Sequence, residues 1–374
     1  MKYIAIFSSG TGGHVYPALA LSSNYIKKNY KIIWIGTKQG IESKVISNDA
    51  IELLFINAQG IRGKSFINKA IGILKIFVSI YESIVILRKY RPKLVFGFGG
   101  YVSFAGIISS FILRIPRVIH EQNAIAGTAN RINYYFSSEI YETFPSSFRK
   151  YNDKIIHTGN IVRDIMNKVS TPDEIYKINE LQLRILVIGG SQGSKFLNNS
   201  FPFIASHFVK NSISIKHISG KDNKLTLESK YKKYDVDVEV IEYSDNIEQL
   251  YDWCNLVVCR SGSTTLSELG KIGRASILVP FPFATDNHQL LNANYLAQNS
   301  AAIIIEQNES SIENFVLTLN LLLLKNDRLY SLATNIKKIF PDHAIDNITK
   351  NSLKLIDRNN ENWKKHIFKE IYDD

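Results

Sequence analysis

The chain has 374 residues, 45% hydrophobic and 21% charged with only 9 prolines, which excludes disordered, collagen-like and linker-type polypeptides. At roughly 150 residues per domain the length points to two globular domains. A formal net charge of +11 calls for an anionic partner or environment, and composition leaves open whether that is nucleic acid, anionic lipid or a phosphorylated small molecule.

The amino terminus, MKYIAIFSSG, carries an apolar run shorter than a signal-peptide core, so secretion by that route is not expected. Tyr3 to Ser8 reads as a β-branched and aromatic strand, followed by a glycine loop and a helical stretch, PALALSSNYIKK, with Pro17 near its first turn. Phe66 to Arg88 has helical period but is apolar on too much of its circumference. Either a wholly buried helix or one dipping into a bilayer interface beside basic residues fits it. Leu94 to Leu113 is uncharged and about long enough to span a bilayer, yet its glycines and serines divide it into a short strand, a glycine turn and a helix.

His120-Glu121-Gln122-Asn123 follows another strand, PRVIH, and HTGNIVR (157–163) is the expected domain boundary. Near residue 184 the opening pattern recurs, with strand RILVIGG, loop GGSQG and a helix-compatible stretch. Cys254 and Cys259, the only cysteines, lie in a strand-like run, DWCNLVVC, on opposite faces, which argues against a disulfide or a zinc site and fits a reducing cytosol. After Pro341, Ile345, Ile348, Ser352 and Leu355 recur at helical spacing. Strand, loop and helix alternate in both halves, the pattern of an α/β chain with two doubly wound parallel-sheet, Rossmann-like domains. The expected division is 1–162, 163–340, and a terminal helix with a polar tail (341–374) that packs back on the first domain.

Three loops place glycine and serine between a strand end and a helix start: Ser9 to His14, Gly189 to Gly193, and Ser261 onward in CRSGSTTLSELG. Each is a tight turn on the bland reading. On the functional one, exposed amides and the helix dipole favour an anion, and three such loops make coincidence less probable. His14, at a helix N-terminus, would stay neutral as a general base must. Glu268 is either a carboxylate for ribose hydroxyls or the far end of a capping box with Thr265, and local sequence slightly favours the cap. GIRGKS (60–65) lacks the first glycine of a phosphate loop, since Ala58 stands there, and Asp235-Val236-Asp237 reads as a solvated strand face rather than a metal triplet.

Taken in order, GTGGHVYPALAL, GFGGYVS, HEQNAIAG, GNIVR, GGSQG, CRSGSTTLSELG and DNHQLLNA resemble the MurG family of N-acetylglucosaminyltransferases, from residue 4 to about 345. The resemblance implies the GT-B architecture, with two Rossmann-like domains facing across a cleft. The first would serve a lipid-linked acceptor at the membrane and the second UDP-GlcNAc. It implies inverting transfer of GlcNAc to undecaprenyl-diphosphoryl-MurNAc-pentapeptide in peptidoglycan synthesis, on the cytoplasmic face of the inner membrane, with no cofactor and no metal.

By matching positions, donor contacts would be Thr11, Gly12, Gly13, Asn123, Arg163, Ser191, Ser244, Ser263, Thr264, Thr265, Leu266, Ser267, Glu268 and Gln289. His14 would be the base, and Gly99, Gly100 and Tyr101 would lie on the acceptor side. The implied partners are the two substrates, an anionic membrane surface and other cell-wall synthesis proteins, with no nucleic acid. This chain departs from the family pattern at Ser9, in place of a glycine, and at His288, in place of a glutamine. The competing readings are a UDP-GlcNAc 2-epimerase of similar architecture and a non-catalytic nucleotide-sugar-binding subunit.

Overall fold

The computed structural model describes residues 2–10, 12–46, 49–59, 66–150, 152–176, 182–190 and 192–372. Two compact units divide the chain, Met1–Val162 with Asp342–Asp374, and Arg163–Pro341.

In the first unit seven strands, β1 (Tyr3–Phe7), β2 (Lys31–Gly36), β3 (Ile51–Phe55), β4 (Leu94–Gly97), β5 (Arg117–Glu121), β6 (Glu139–Glu142) and β7 (Ile155–His157), form a parallel sheet of order β3-β2-β1-β4-β5-β6-β7. Period two explains how β1 can be wholly apolar: Ile4 and Ile6 enter a core on one face, with Val15, Leu21 and Trp34, while Ala5 and Phe7 enter a core on the other, with Ile33, Val95 and Val102. The chain order reverses between β1 and β4, which pair in register from Ile4–Leu94 to Phe7–Gly97. Such a reversal opens the carboxyl ends of the two strands to a ligand.

The second unit repeats the plan with β8 (Leu183–Ile188), β9 (Ile213–Ile218), β10 (Glu239–Ile241), β11 (Leu256–Cys259), β12 (Ala275–Leu278) and β13 (Ile303–Ile304), parallel in the order β10-β9-β8-β11-β12-β13. Its reversal lies between β8 and β11, paired from Leu256–Ile185 to Cys259–Ile188. Cys254 sits just after the helix Ile247–Trp253 and Cys259 ends β11, so only the second belongs to the strand; both are buried free thiols that burial pushes up to about 12. Asp235 lies in the turn before β10 with a φ of 52° and Asp237 in the segment that leads into the strand, so neither is part of a strand face; both are exposed, and Asp235 pairs with Lys210 at 2.9 Å.

The last helix, Ala344–Tyr372, belongs to the first unit. Ile348 and Ile356 are buried in the core that holds Leu21 and Tyr25, Thr349 accepts from Asn24 Nδ2 at 2.9 Å, and Arg358 donates to Glu139. Leu94 to Leu113 is β4, a glycine turn and the helix Gly100–Ile112, as its glycines imply. No helix among the described residues is long and apolar enough to cross a membrane.

The wholly buried reading of the helix Phe66–Tyr90 is overturned. Leu74, Phe77, Val78, Tyr81 and Val85 are 46–68% exposed, and their spacing of three and four residues puts them in one stripe. The opposite face supplies the buried contacts through Ser79, Ser83 and Leu87. The first helix also differs from expectation, starting at Gly12 so that Pro17 lies inside it. Proline has no N–H, so the Gly13 carbonyl forgoes its usual helical donor, a loss confined to the second turn.

Candidate functional site

In the first unit the loop after β1 is held from beneath by a residue that sequence reasoning missed. Glu42, wholly buried, accepts from the Thr37 amide at 2.7 Å, the Thr37 hydroxyl at 3.3 Å and the Gly10 amide at 3.3 Å. Gly10 N–H is thereby committed to protein, so the amides available to a ligand anion are those opening the helix Gly12–Lys27, at Gly12 and Gly13. Ser9, the departure from the family pattern, is not among the residues with positive φ, and its hydroxyl meets that of Thr37 at 2.7 Å. Nothing in its position demands glycine.

His14 stands in the first turn of the same helix. Its ring lies against Gly99, where φ is 94° and an added Cβ would come within 3.0 Å of His14 Cε1. Only glycine combines that backbone with that approach. His14 Nδ1 lies 3.0 Å from Gln122 Oε1. Gln122 Nε2 in turn lies 3.0 Å from His120 Nδ1 and donates to the His120 carbonyl at 3.2 Å, while His120 Nε2 lies 3.2 Å from the Gly159 carbonyl. Burial pushes His120 down to about 4.

The HEQNAIAG loop is organised by Glu121. Its carboxylate accepts from the Asn123 amide and Nδ2 at 2.9 and 3.2 Å, the Gly127 amide at 3.1 Å and Asn130 Nδ2 at 2.9 Å. A carboxylate ending β5 thus folds the following turn around itself and sets Asn123 in place. A negative side chain at the last strand position, with Asn two residues on, is the signal that could have revealed it. Gly100 and Tyr101 begin the neighbouring helix, with Tyr101 exposed.

In the second unit Gly193 N–H donates to Gly190 O at 2.9 Å. Ser194 then caps the helix Lys195–Ala205 by accepting from the Leu197 amide at 3.3 Å. Gly193 has φ 74°, and an added Cβ would lie 2.1 Å from the Ser219 carbonyl at the end of β9. The loop after β11 leads through Gly262 into the helix Ser263–Ile272, which has no side-chain cap. This corrects the capping-box reading: Thr265 and Glu268 both lie inside the helix. Glu268, buried, accepts instead from Arg163 Nη2 at 3.0 Å and from the Tyr251 hydroxyl at 3.2 Å. Burial raises its pKa, opposed by the Arg163 charge and by both hydrogen bonds.

Arg260, within the same motif, is structural. Its guanidinium donates to the carbonyls of Val279 and Pro280 and to Gln307 Oε1. Gln289 fixes the Pro-rich loop by accepting from the Phe281 amide at 3.0 Å, and its own carbonyl accepts from Ser261 Oγ at 2.8 Å. Ser244 lies after β10 and accepts from the Asn246 amide at 3.2 Å. Ser263 and Leu266 to Glu268 are buried along the helix, with Thr264 and Thr265 half-buried.

Within the first unit, then, Gly12, Gly13 and His14 open the helix that follows β1, and Gly99 and Asn123 lie in the loops that follow β4 and β5. Within the second, Arg163 and Glu268 are joined directly, and Gln289 is tied to the loop that opens the Glu268 helix. Thr11, Ser191 and the GIRGKS segment lie outside the described residues.

Two family models match, the glycosyltransferase family 28 N-terminal domain over residues 4–142 and the C-terminal domain of that family over 184–348. Curated relatives named UDP-N-acetylglucosamine--N-acetylmuramyl-(pentapeptide) pyrophosphoryl-undecaprenol N-acetylglucosamine transferase match along nearly the whole chain. The one from Coxiella burnetii is 33% identical over 93% of this chain and 97% of its own, and the one from Haemophilus ducreyi 36% over 89% and 93%. The chain belongs to the MurG family. A crystal structure of Acinetobacter baumannii MurG superposes with a TM-score of 0.79 at 26% identity, covering 95% of this chain and all of that one. A UDP-GlcNAc 2-epimerase from Neisseria meningitidis shares the fold alone, at 14% identity and a TM-score of 0.62, covering 95% of this chain and all of that one. As a MurG-family member the chain is a glycosyltransferase of GT-B architecture, its two sheets each wound in the Rossmann order.

Proposed function

We propose that this chain moves N-acetylglucosamine from UDP-GlcNAc to the 4-hydroxyl of MurNAc in undecaprenyl-diphosphoryl-MurNAc-pentapeptide, with inversion at the anomeric carbon. The observation that carries the reading is the full-length likeness to transferases of that name, at 33–36% identity. The loops described above are the chemistry it needs. In the second unit Glu268 accepts from the ribose, the helix-start amides near Ser263 and the Arg163 guanidinium take charge growing on the diphosphate, and Ser244 and Gln289 complete the donor contacts with Ser191 and Thr264 to Ser267. In the first unit Thr11, Gly12, Gly13 and Asn123 face the donor, and Gly99, Gly100 and Tyr101 the acceptor.

The step is an in-line displacement. The muramyl 4-oxygen forms a bond to the anomeric carbon as the bond from that carbon to the UDP oxygen breaks, UDP leaves with the electron pair, and the hydroxyl proton passes to His14. No step requires a metal.

The exposed stripe of the helix Phe66–Tyr90 supports a peripheral seat on the cytoplasmic face of the inner membrane. Ser109 Oγ donates to the Ile80 carbonyl and Asn133 Nδ2 to Ser103 Oγ, which ties this helix to Gly100–Ile112 and that one to Thr128–Phe136. These add exposed Phe111, Ile112, Ile132 and Tyr135, and Arg88, Lys89, Arg114 and Arg131 are exposed on or just beyond the same helices. Apolar side chains flanked by cations suit an anionic lipid surface.

The test is transfer of labelled GlcNAc to the lipid-linked acceptor in detergent with chelator, beside an acceptor-free control. Label should move to lipid in the first and the donor should stay unchanged in the second. Donor conversion without acceptor, or UDP-GlcNAc binding with no transfer, overturns the reading. His14→Ala should abolish turnover while UDP still binds.

A further inference from the structure

The four-member chain from His14 to Gly159 ends on groups that can only accept, and this decides every proton along it. The His120 carbonyl, 3.2 Å from the Gln122 amide, cannot donate, so Nε2 of that amide faces it and Oε1 faces His14. The Gly159 carbonyl likewise requires that His120 Nε2 carry a hydrogen. His120 is buried and neutral, so its Nδ1 holds a lone pair and accepts the second hydrogen of Gln122 Nε2. All three polar functions of the Gln122 side chain are thereby used. Oε1, an acceptor, can be satisfied by His14 only if His14 Nδ1 is protonated.

We infer that Gln122 is a positioning residue, which holds His14 as the Nδ1–H tautomer and so makes Nε2 its basic nitrogen, and that His120 acts behind it by fixing the orientation of the Gln122 amide. The catalytic meaning of that tautomer rests on the reading of His14 as the base. A neutral imidazole has one lone pair, and a base presenting its N–H to the acceptor hydroxyl is inert however well placed. Gly99 serves the same end from the other side, since the ring can lie where it does only because no side chain stands there. The arrangement also explains why the motif has His and Gln in alternation. Residues 120 and 122 share one side of an extended chain, so that the amide of the second folds back on the ring and carbonyl of the first.

The experiment uses the full chain labelled with ¹⁵N at its eight histidines, and long-range proton–nitrogen correlation spectra to read the tautomer of each ring. His14→Ala assigns the signal. In the wild-type protein at neutral pH, His14 should carry its proton on Nδ1. In Gln122→Leu, which keeps the bulk and removes the acceptor, the signal should move to the Nε2–H form or to an average of the two. Turnover with the lipid-linked acceptor should fall on the order of 10²-fold, within the range a positioned general base contributes. UDP affinity should stay within about twofold, since no chemistry of the nucleotide passes through this chain of bonds.

Wild-type His14 protonated on Nε2 overturns the inference without any variant. So does a Gln122→Leu protein whose His14 keeps the Nδ1–H form, or one that loses turnover and UDP affinity together, which marks a structural role. If His14→Ala retains turnover while the wild-type spectrum shows Nδ1–H, the tautomer assignment stands and the base reading alone fails.

Discussion

Glu268→Gln separates recognition of the ribose from support of the fold. The carboxylate has about four acceptor positions on its two oxygens. Arg163 uses one on Oε1 and Tyr251 one on Oε2, leaving two for the two ribose hydroxyls. Glutamine keeps the shape but loses the charge and converts one oxygen to a donor, so at least one charge-assisted contact is lost. Such a contact contributes about 1.5–3 kcal/mol, and UDP should therefore bind roughly 10- to 150-fold more weakly. Fold stability should change little, because burial already disfavours the charged form of Glu268 and the Arg163 side chain is 42% exposed, which screens the pair.

Calorimetric titration with UDP and with 2′-deoxy-UDP makes the test specific. Wild-type protein should discriminate between them by at least tenfold, and the variant should not. The same carboxylate gives a pH dependence: UDP affinity should fall as the pH drops through the raised pKa of Glu268, and the variant should lack that limb. Glu268→Gln binding UDP within twofold of wild type, or keeping the discrimination, refutes the role assigned to this side chain.

Gly193→Ala should destabilise the second unit by more than about 2 kcal/mol, since a left-handed backbone is combined with a Cβ 2.1 Å from the Ser219 carbonyl; chemical denaturation monitored through that unit measures it. For His120, burial favours the neutral ring in the folded state, with the pKa near 4 against 6.5 ordinarily. Its contribution, on the order of 3 kcal/mol, is full above pH 6.5 and lost as the pH falls towards 4, so an acid titration of His120→Asn should show a shallower loss of stability than wild type. Replacing Phe77 and Tyr81 together with Ser should lower partitioning to anionic vesicles by at least about a hundredfold at unchanged activity on a detergent-dispersed acceptor, since each side chain contributes ~1.5–3 kcal/mol. Sedimentation with vesicles reads the change, and equal partitioning of variant and wild type excludes this face as the membrane seat.

The two Rossmann-like units were legible in the linear chain because strand, glycine loop and helix are local events. The apolar runs YIAIF (3–7) and ILVI (185–188) announce strands covered on both faces, and the glycines that follow announce close turns. The seven ordered motifs likewise carried the family, since each is a contiguous stretch of residues whose order along the chain survives folding.

What only the tertiary structure decided depends on residues brought together from far apart. Glu268 looked like a cap because its neighbour Thr265 was the nearest partner in sequence; its actual partners, Arg163 and Tyr251, reach it from 105 and 17 residues away. Glu42 holds a loop 32 residues upstream, and nothing in the run around it marks a buried carboxylate. The helix Phe66–Tyr90 has a period that shows it is helical and a composition that shows it is apolar, but neither states which neighbour covers it. Burial is a property of what stands opposite a surface, and for the stripe from Leu74 to Val85 only the packed fold shows that, among the described residues, no part of its own unit covers it. His14 is the clearest division: its place after a glycine loop suggests a base, whereas the identity of its basic nitrogen is set by two backbone carbonyls, at positions 120 and 159, that no local pattern could have brought to it.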